Sequence, residues 1–297
     1  INPLERVGAY VPGGRAAYPS SLIMTVVPAK TAGVEEVIVT TPPDSEGKIN
    51  PHTLAAARET GVDKIYKIGG AQAVAAMAGG TETIDRVDKI VGPGNIYVTT
   101  AKKMVFGEVD IDMLAGPSEV LILADHTSNP EFIAADLLSQ AEHDPLAVPA
   151  LISTSEKVVE ESIDHFKNQL ENLSRKEIAF KSWKDNGLIV IIEDVETGID
   201  LVNQFGPEHF ELLVEDPFSY LGLVKNAGAI FIGEYSPESL GDYMAGPNHV
   251  LPTGGTARFA SPLNTEDFLK KSSIIYYQKE GLDRVKNDIQ QLAEIEG

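Results

Sequence analysis

Short apolar runs alternate with stretches of helical periodicity along nearly the whole chain. In the first third, runs at residues 37–39, 64–68, 89–91 and 109–111 predict strands. Helical spacing follows three of these runs, with one helix starting at Pro51 after a capping Asn50, one over 71–78 and one ending at Phe106. This alternation is typical of β/α units on a mainly parallel sheet.

The rest of the chain repeats the alternation. Strands are predicted at 120–123, near 150–152, at 188–192 and at 229–232, and the last two are expected to be buried. A helix is predicted over 130–142, and the polar stretch 156–185 predicts a solvated outer helix or helix pair. From Glu266 the tail predicts helix except near 274–277, with one apolar face formed by Leu282, Val285, Ile289 and Leu292. At roughly 150 residues per domain, the length of 297 residues suggests two α/β domains.

The composition excludes several classes of function. Without cysteine, the chain has no disulfide framework, no thiolate nucleophile and no cysteine-ligated metal. The net charge is −20 and basic pairs such as Lys102-Lys103 are isolated, so no nucleic acid partner is expected. No window approaches the roughly 20 apolar residues of a membrane span, and no signal peptide opens the chain. We therefore expect a soluble, cytoplasmic protein without a membrane partner and, since neither end resembles a natural terminus, a piece of a longer chain.

The dipeptide Gly-Pro occurs four times, each time followed by small or polar residues. Glycine permits a sharp turn and proline then fixes φ, so such corners aim the next side chains off the end of an element. Each corner alone is most simply an ordinary turn. Two of them deliver a histidine, in a chain with only six, which favours a shared site. The four corners are Gly92-Pro93-Gly94-Asn95, Gly116-Pro117-Ser118-Glu119, Gly206-Pro207-Glu208-His209 and Gly246-Pro247-Asn248-His249.

A candidate metal site lies at the end of the helix predicted over 130–142. Gln140 and His143 are three residues apart and share a helix face, and imidazole with oxygen donors suits zinc or a similar divalent ion. Asp242 is a candidate third ligand. A histidine in a last helical turn more often complements the free carbonyl groups, so both interpretations stay open on spacing alone.

Two of the four Gly-Pro corners contain candidate catalytic or cofactor-binding residues. The adjacent Glu208 and His209 can supply an imidazole base for an alcohol proton and a carboxylate that activates water, whereas the structural alternative is a histidine at a strand mouth. Gly92-Pro93-Gly94-Asn95 lies between a predicted strand and helix and can hold a phosphate or ribose. It lacks the Gly-x-Gly-x-x-Gly fingerprint of dinucleotide binding.

At these residues the sequence closely resembles the histidinol dehydrogenase family. The matching segments span nearly the whole chain in family order and comprise residues 8–14, 68–73, 91–95, 115–119, 138–143, 206–209 and 246–253. The resemblance implies oxidation of L-histidinol to L-histidine with two NAD in succession, through a bound aldehyde. It also implies one zinc that holds the substrate and takes no electrons.

The resemblance assigns roles residue by residue. The matched zinc ligands are Gln140, His143 and Asp242; the matched base is His209, and Glu208 matches the residue that activates water. The matched substrate contacts are Ser118, His209, His249 and Glu296, and the matched NAD contacts are Tyr10, Gln72 and Asn95.

The resemblance further implies two Rossmann-like α/β/α domains, incomplete and without the glycine fingerprint, plus a helical C-terminal tail. We expect an NAD-binding domain at 10–113, a zinc and substrate domain formed by 1–9 and 114–262, and a partner-facing tail at 263–297. In the family, which forms homodimers, a histidine beyond the final Glu-Gly completes the partner's zinc site, and a segment precedes the first matched motif. Neither is present here, so we expect this chain alone to bind zinc poorly and to be nearly inactive.

Three other functions compete with this interpretation. A paralogous NAD-dependent dehydrogenase of another small polar alcohol would keep the zinc and the base. A non-catalytic binding protein on an old enzyme fold would not need the intact Glu208-His209 pair. A metal-free phosphate-binding module leaves Gln140, His143 and Asp242 unexplained.

Overall fold

The computed structural model describes residues 1–13 and 17–297, so Gly14 and Arg15 of the first glycine-rich motif lie outside the described residues. The strands are β1 Asn2–Pro3, β2 Arg6–Tyr10, β3 Glu36–Thr40, β4 Lys64–Tyr66, β5 Lys89–Val91, β6 Asp110–Ile111, β7 Glu119–Ala124, β8 Val148–Ser153, β9 Leu188–Ile191, β10 His209–Leu213, β11 Ala229–Ile232 and β12 Leu269–Lys270. The helices are α1 Pro19–Ala32, α2 Pro51–Thr60, α3 Ala71–Gly79, α4 Ile96–Val105, α5 Pro130–Ala141, α6 Glu156–Leu170, α7 Lys176–Asn186, α8 Val195–Phe205, α9 Pro217–Leu221, α10 Glu238–Tyr243 and α11 Lys279–Glu296.

The first sheet is parallel and has the strand order β4-β3-β2-β5-β6. Its middle strand is β2, whose Gly8 lies between Ile38 and Ile90. The expected boundary at residue 10 is therefore wrong for residues 6–9, because they pair inside the first sheet. The run is only five residues long and carries a charged Arg6 and a glycine, so periodicity alone does not indicate a central strand.

The second sheet is also parallel, with the order β11-β10-β7-β8-β9. Every residue of its middle strand β7 is buried. Alternate residues of β7 face opposite layers: Val120 and Ile122 pack with α5 and α6, whereas Leu121 and Leu123 pack with α8. Helices thus cover both faces, which confirms the predicted α/β class.

Residues 188–191 and 229–232 form strands as predicted, but the expectation that these strands are buried is wrong. β9 and β11 are the two edges of the second sheet and are only partly buried. A short apolar run has the same appearance in sequence whether its strand lies at the centre or at the edge of a sheet.

The polar stretch at 156–185 forms a helix pair, α6 and α7, which is one of the two forms predicted. The pair is solvated on one side only, because Phe166 is buried in the core of the second sheet and its ring lies 4.6 Å from that of Trp183.

The tail differs from its predicted form. Residues after Glu266 form a short 3₁₀ turn and then β12, which pairs antiparallel with β1, and helix begins only at Lys279. None of the residues of α11 is buried in the described structure. Within residues 1–13 and 17–297, no helix is both long enough and apolar enough to cross a bilayer.

Candidate active site

One cavity of about 430 Å³ lies between the two sheets. The first sheet borders it with the carboxyl end of β5, whereas the second sheet borders it with the residues at the amino ends of β7 and β10. Residues from all four Gly-Pro corners line it, including Asn95, Ser118, His209 and His249. The usual rule for open α/β sheets places ligands at the carboxyl ends of strands. The second sheet departs from that rule, because α5 runs back to the amino ends and brings its last turn to the cavity.

The last turn of α5 contributes Gln140, and the turn that follows the helix contributes His143. Gln140 is only 1% exposed, and its Oε1 atom has no hydrogen-bond donor among the described residues. The Nδ1 atom of His143 lies 2.8 Å from the carbonyl oxygen of Ser139. A carbonyl oxygen can only accept, so the ring proton is on Nδ1 and the lone pair of Nε2 stays free. Both side chains therefore offer an unused electron pair at the cavity.

Glu208 and His209 lead into β10 at the floor of the cavity. Nδ1 of His209 lies 3.0 Å from the carbonyl oxygen of Glu119, which again leaves Nε2 with a free lone pair. Burial lowers the pKa of His209 to about 4, so the imidazole is neutral at pH 7. Burial raises the pKa of Glu208 well above its ordinary value of 4.5, and Oε2 of Glu208 accepts from the Glu119 amide at 3.0 Å.

Asp242 and His249 also line the cavity. Asp242 lies near the end of the short helix α10, and the Nδ1 atom of His249 donates to its backbone oxygen at 3.1 Å. His143, His209 and His249 thus share one arrangement, in which a backbone carbonyl holds Nδ1 and Nε2 is available. A hydrogen bond from the other ring nitrogen to a backbone carbonyl is the usual way to orient a metal-ligating or basic imidazole.

Glu238 was missed by the sequence analysis. It is buried, lines the same cavity, and has one carboxylate oxygen without a partner among the described residues. Burial, together with Asp242 and Asp136, raises its pKa to about 8. The sequence shows that Glu238 and Asp242 are four residues apart and can share a helix face, but it does not show that Glu238 is buried.

Two overlapping donor sets around Asp242 can hold a metal. Donor atoms of His209, Glu238 and Asp242 lie within 4.8 Å of one another. The predicted set instead combines Asp242 with Gln140 and His143, which line the same cavity. The predicted set has its own argument, because the buried Oε1 of Gln140 has no donor among the described residues and a cation would supply the missing partner.

Of the remaining predicted residues, one lines the described cavity and three do not. Asn95 lines the cavity and caps α4, its Oδ1 accepting from the amides of Tyr97 and Val98 at 3.1 and 3.2 Å. Tyr10 is buried in the core of the first sheet, where its hydroxyl accepts from the Gly70 amide at 3.1 Å. Gln72 is exposed on α3, and Glu296 is exposed at the end of α11. The described cavity lining includes none of these last three residues.

Comparison with known proteins identifies the family of this chain. The model of the histidinol dehydrogenase family matches residues 1–297. The chain belongs to the histidinol dehydrogenase family. Two curated histidinol dehydrogenases, from Clostridium acetobutylicum and Listeria monocytogenes, are 58% and 59% identical to it over 297 residues. In both comparisons the match covers 100% of this chain and 69% of the relative.

A solved structure supports the same assignment. The crystal structure of histidinol dehydrogenase from Elizabethkingia anophelis matches with a TM-score of 0.95 at 44% identity, covering 99% of this chain and 68% of that one. The family resemblance and the α/β fold are thereby confirmed. Membership of the histidinol dehydrogenase family makes the chain an oxidoreductase of histidine biosynthesis.

Proposed function

We propose that the full-length protein to which this chain belongs catalyses the NAD-linked oxidation of L-histidinol to L-histidine through L-histidinal, with one zinc ion in the cavity. The observation that carries the proposal is the meeting of three imidazoles with free Nε2 atoms, the unpartnered Gln140 oxygen and the Asp242 carboxylate in one cavity. The reaction consumes one water and two NAD⁺ and releases two NADH and three protons per histidine.

The donor set fits zinc. Gln140, His143 and Asp242 would supply one amide oxygen, one imidazole nitrogen and one carboxylate oxygen, and zinc accepts nitrogen and oxygen donors and keeps open positions in catalytic sites. Without a thiolate ligand the ion remains hard enough to hold nitrogen atoms of a substrate. When bound, zinc would orient the histidinol amine and imidazole and NAD would accept the hydride; the other tasks fall to the chain itself.

His209 is suited to accept the alcohol proton. Its Nε2 carries the lone pair, because the Glu119 carbonyl holds the proton on Nδ1, and its neutrality at pH 7 makes that lone pair available. Burial at the cavity floor limits exchange of the transferred proton with solvent.

Glu208 is suited to the second oxidation, in which water must add to the aldehyde carbon. Its raised pKa makes the deprotonated carboxylate a stronger base for a water proton than an exposed glutamate would be. Ser118 and His249 line the cavity on either side and are proposed to contact the substrate.

The cofactor is proposed to bind on the first sheet, in the region 10–113, where Asn95 meets the cavity at the start of α4. Tyr10 and Gln72 would contact NAD farther from the reacting carbon, because neither lines the described cavity. The second sheet and the residues at 114–262 would hold zinc and substrate.

A homodimer is part of the proposal. Ile274 is 93% exposed, Ile275, Tyr276 and Tyr277 are also largely exposed, and α11 presents its apolar positions to solvent. A second copy would cover these side chains, and Glu296 near the end of α11 would reach the partner's cavity. Light scattering of the full-length protein should give twice the subunit mass, and a monomer at micromolar concentration would contradict this arrangement.

The function is tested by product stoichiometry. The full-length, zinc-loaded protein is incubated with limiting L-histidinol and excess NAD⁺, and NADH and histidine are quantified. We expect two NADH and one histidine per histidinol. Turnover of another small alcohol, but not of histidinol, would favour the paralogous dehydrogenase and overturn the proposed substrate.

A further inference from the structure

A buried ion pair lies directly beneath the Gly92-Pro93-Gly94-Asn95 corner. Lys102, on α4, is 2% exposed, and its ammonium is paired with the carboxylate of Asp112, which follows β6 and is also buried. Both residues belong to the wall of the cavity. The pair therefore lies between the helix that starts at the corner and the strand beside it.

The pair binds both polar groups of a single residue, Gly92. Nζ of Lys102 donates to the Gly92 carbonyl oxygen at 3.0 Å, and the Gly92 amide donates to Oδ2 of Asp112 at 2.6 Å. The other oxygen of Asp112 accepts from the Met113 amide at 2.6 Å and from Lys102. The orientation of the peptide groups on both sides of Gly92 is therefore fixed by charged groups.

Gly92 has little freedom to take another position. Its φ of 111° is accessible mainly to glycine, and a Cβ atom there would lie 2.1 Å from the carbonyl oxygen of Tyr10. Asn95, three residues later, ends the corner and begins α4 at the cavity. Any rotation at Gly92 would therefore displace Asn95.

A second buried lysine, in strand β5 itself, provides a comparison. Lys89 pairs with Asp110 at 3.0 Å at the start of β5, so it lies at the opposite end of that strand from Gly92. Lys89 and its carboxylate partner stabilise the sheet without contacting the corner. The Lys102 pair differs because its contacts include the backbone of the corner itself.

We propose that Lys102 and Asp112 are positioning residues that hold the Gly92–Asn95 corner in the conformation that binds the dinucleotide cofactor. This inference rests on the proposed function, because it assumes that NAD meets the chain at Asn95. The two residues act through the backbone of Gly92, and Asn95 makes the contact.

The test compares Lys102→Met with Lys89→Met in the full-length protein. Each variant removes one buried ammonium, from α4 or from the neighbouring strand β5, and circular dichroism selects a temperature at which all forms are folded. Calorimetric titration then measures NAD affinity without turnover, and amide hydrogen exchange follows the peptide that contains Gly92 and Asn95. We expect Lys102→Met to bind NAD at least tenfold more weakly and to exchange faster at the corner, with both properties within twofold of wild type in Lys89→Met.

The outcomes separate the inference from the function on which it rests. If wild type binds NAD and Lys102→Met binds it equally well, the positioning role is wrong while the proposed function stands. Faster exchange with unchanged affinity likewise overturns the positioning role, since it shows that the pair is only structural. If the wild type itself does not bind NAD, both the cofactor assignment and the inference fail.

A second variant covers the case in which Lys102→Met does not fold. The double variant Lys102→Met/Asp112→Asn removes both charges and leaves no uncompensated ion in the interior. It should fold, and it should still bind NAD at least tenfold more weakly, because neither remaining side chain can hold Gly92 as the charged pair does. Wild-type affinity in the folded double variant would overturn the proposal.

Discussion

The two sheets, with the helices packed on them, differ in whether their buried polar side chains have partners. In the first sheet and the helices packed on it, Lys89 and Lys102 are buried, and each is paired with a carboxylate. In the second sheet and its helices, Gln140, Glu211 and Glu238 are similarly buried, yet each has at least one side-chain oxygen without a partner in the described part of the chain. A buried polar group without a partner costs roughly 1–3 kcal/mol.

The unpartnered oxygens lie at the cavity or on the strand face beside it, and this position explains why the two regions differ in polar pairing. Gln140 and Glu238 line the cavity, and Glu211 shares with His209 the face of β10 that packs against α5. A fold retains such groups where a ligand or a reaction uses them. The first sheet is thus stabilised by compensated charge, whereas the second gives up stability at the place where we propose zinc and substrate to bind.

The largest expected effect is on catalysis. We expect His209→Gln to lower kcat roughly 10²- to 10⁴-fold, because the variant lacks the imidazole base for the alcohol proton. Steady-state NADH formation measures this loss, and zinc content by mass spectrometry should remain near wild type. His52→Gln, on the exposed face of α2, is the matched control and should leave kcat unchanged. Equal rates for the two variants would remove His209 from the mechanism.

Comparing Gln140→Leu with Glu238→Gln tests which of the two donor sets binds the metal ion. Gln140→Leu should weaken zinc affinity at least roughly tenfold, because the amide oxygen is a proposed ligand. Glu238→Gln should change zinc affinity by less than Gln140→Leu does. Competition with a chromophoric chelator measures both. The reverse order would assign the ion to the set His209, Glu238 and Asp242.

The cost of burying the Glu211 carboxyl beside Asp136 should appear as a pH dependence of stability. Burial, Asp136 and Glu238 raise the pKa of Glu211 well above its ordinary value of 4.5. As pH rises above 4.5, the unfolded chain releases this proton while the folded chain retains it, so the free energy of unfolding falls. Glu211→Gln should remove this contribution and stabilise the protein by roughly 1–3 kcal/mol at pH 8 relative to pH 4.5.

Urea unfolding of wild type and Glu211→Gln at several pH values measures the difference. Glu160→Gln, an exposed glutamate on α6, is the matched control and should follow the wild-type pH dependence. A Glu211→Gln variant with the same pH dependence as wild type would show that Glu211 is ionised at no cost in the fold.

The smallest expected effect distinguishes the role of Asn95 as a helix cap from its role in cofactor binding. Asn50 and Asn95 both cap a helix by accepting backbone amides, so alanine at either position should cost about 1 kcal/mol of stability. Only Asn95→Ala should also raise KM for NAD⁺, because Asn95 lines the cavity. Thermal unfolding and steady-state kinetics measure the two effects, and an equal KM in both variants would limit Asn95 to capping.

The sequence indicated the elements of both sheets but not their positions within them. Runs such as 120–123 and 37–39 form strands because apolar β-branched residues pair in a buried sheet. Strand order depends on contacts between distant residues, so the central place of β2 and the edge places of β9 and β11 left no local signal.

Only part of the candidate site could be predicted from the sequence, because the rest depends on contacts between distant residues. The corners and the Gln140–His143 spacing are local patterns, and the structure brings their residues to one cavity. Glu238 was missed because its burial arises from the packing of α10 on the second sheet, and an exposed glutamate has the same local sequence. The pairing of Lys102 with Asp112 likewise arises only when α4 and β6 meet.

The central claim is that side chains from distant parts of the chain together hold one zinc ion in this cavity. Anomalous diffraction at the zinc edge from crystals of the full-length protein grown with zinc tests it most directly. We predict one strong peak at about 2.0–2.2 Å from Gln140 Oε1, His143 Nε2 and an Asp242 carboxylate oxygen. A peak coordinated by other residues, or no peak in this cavity, would contradict the claim.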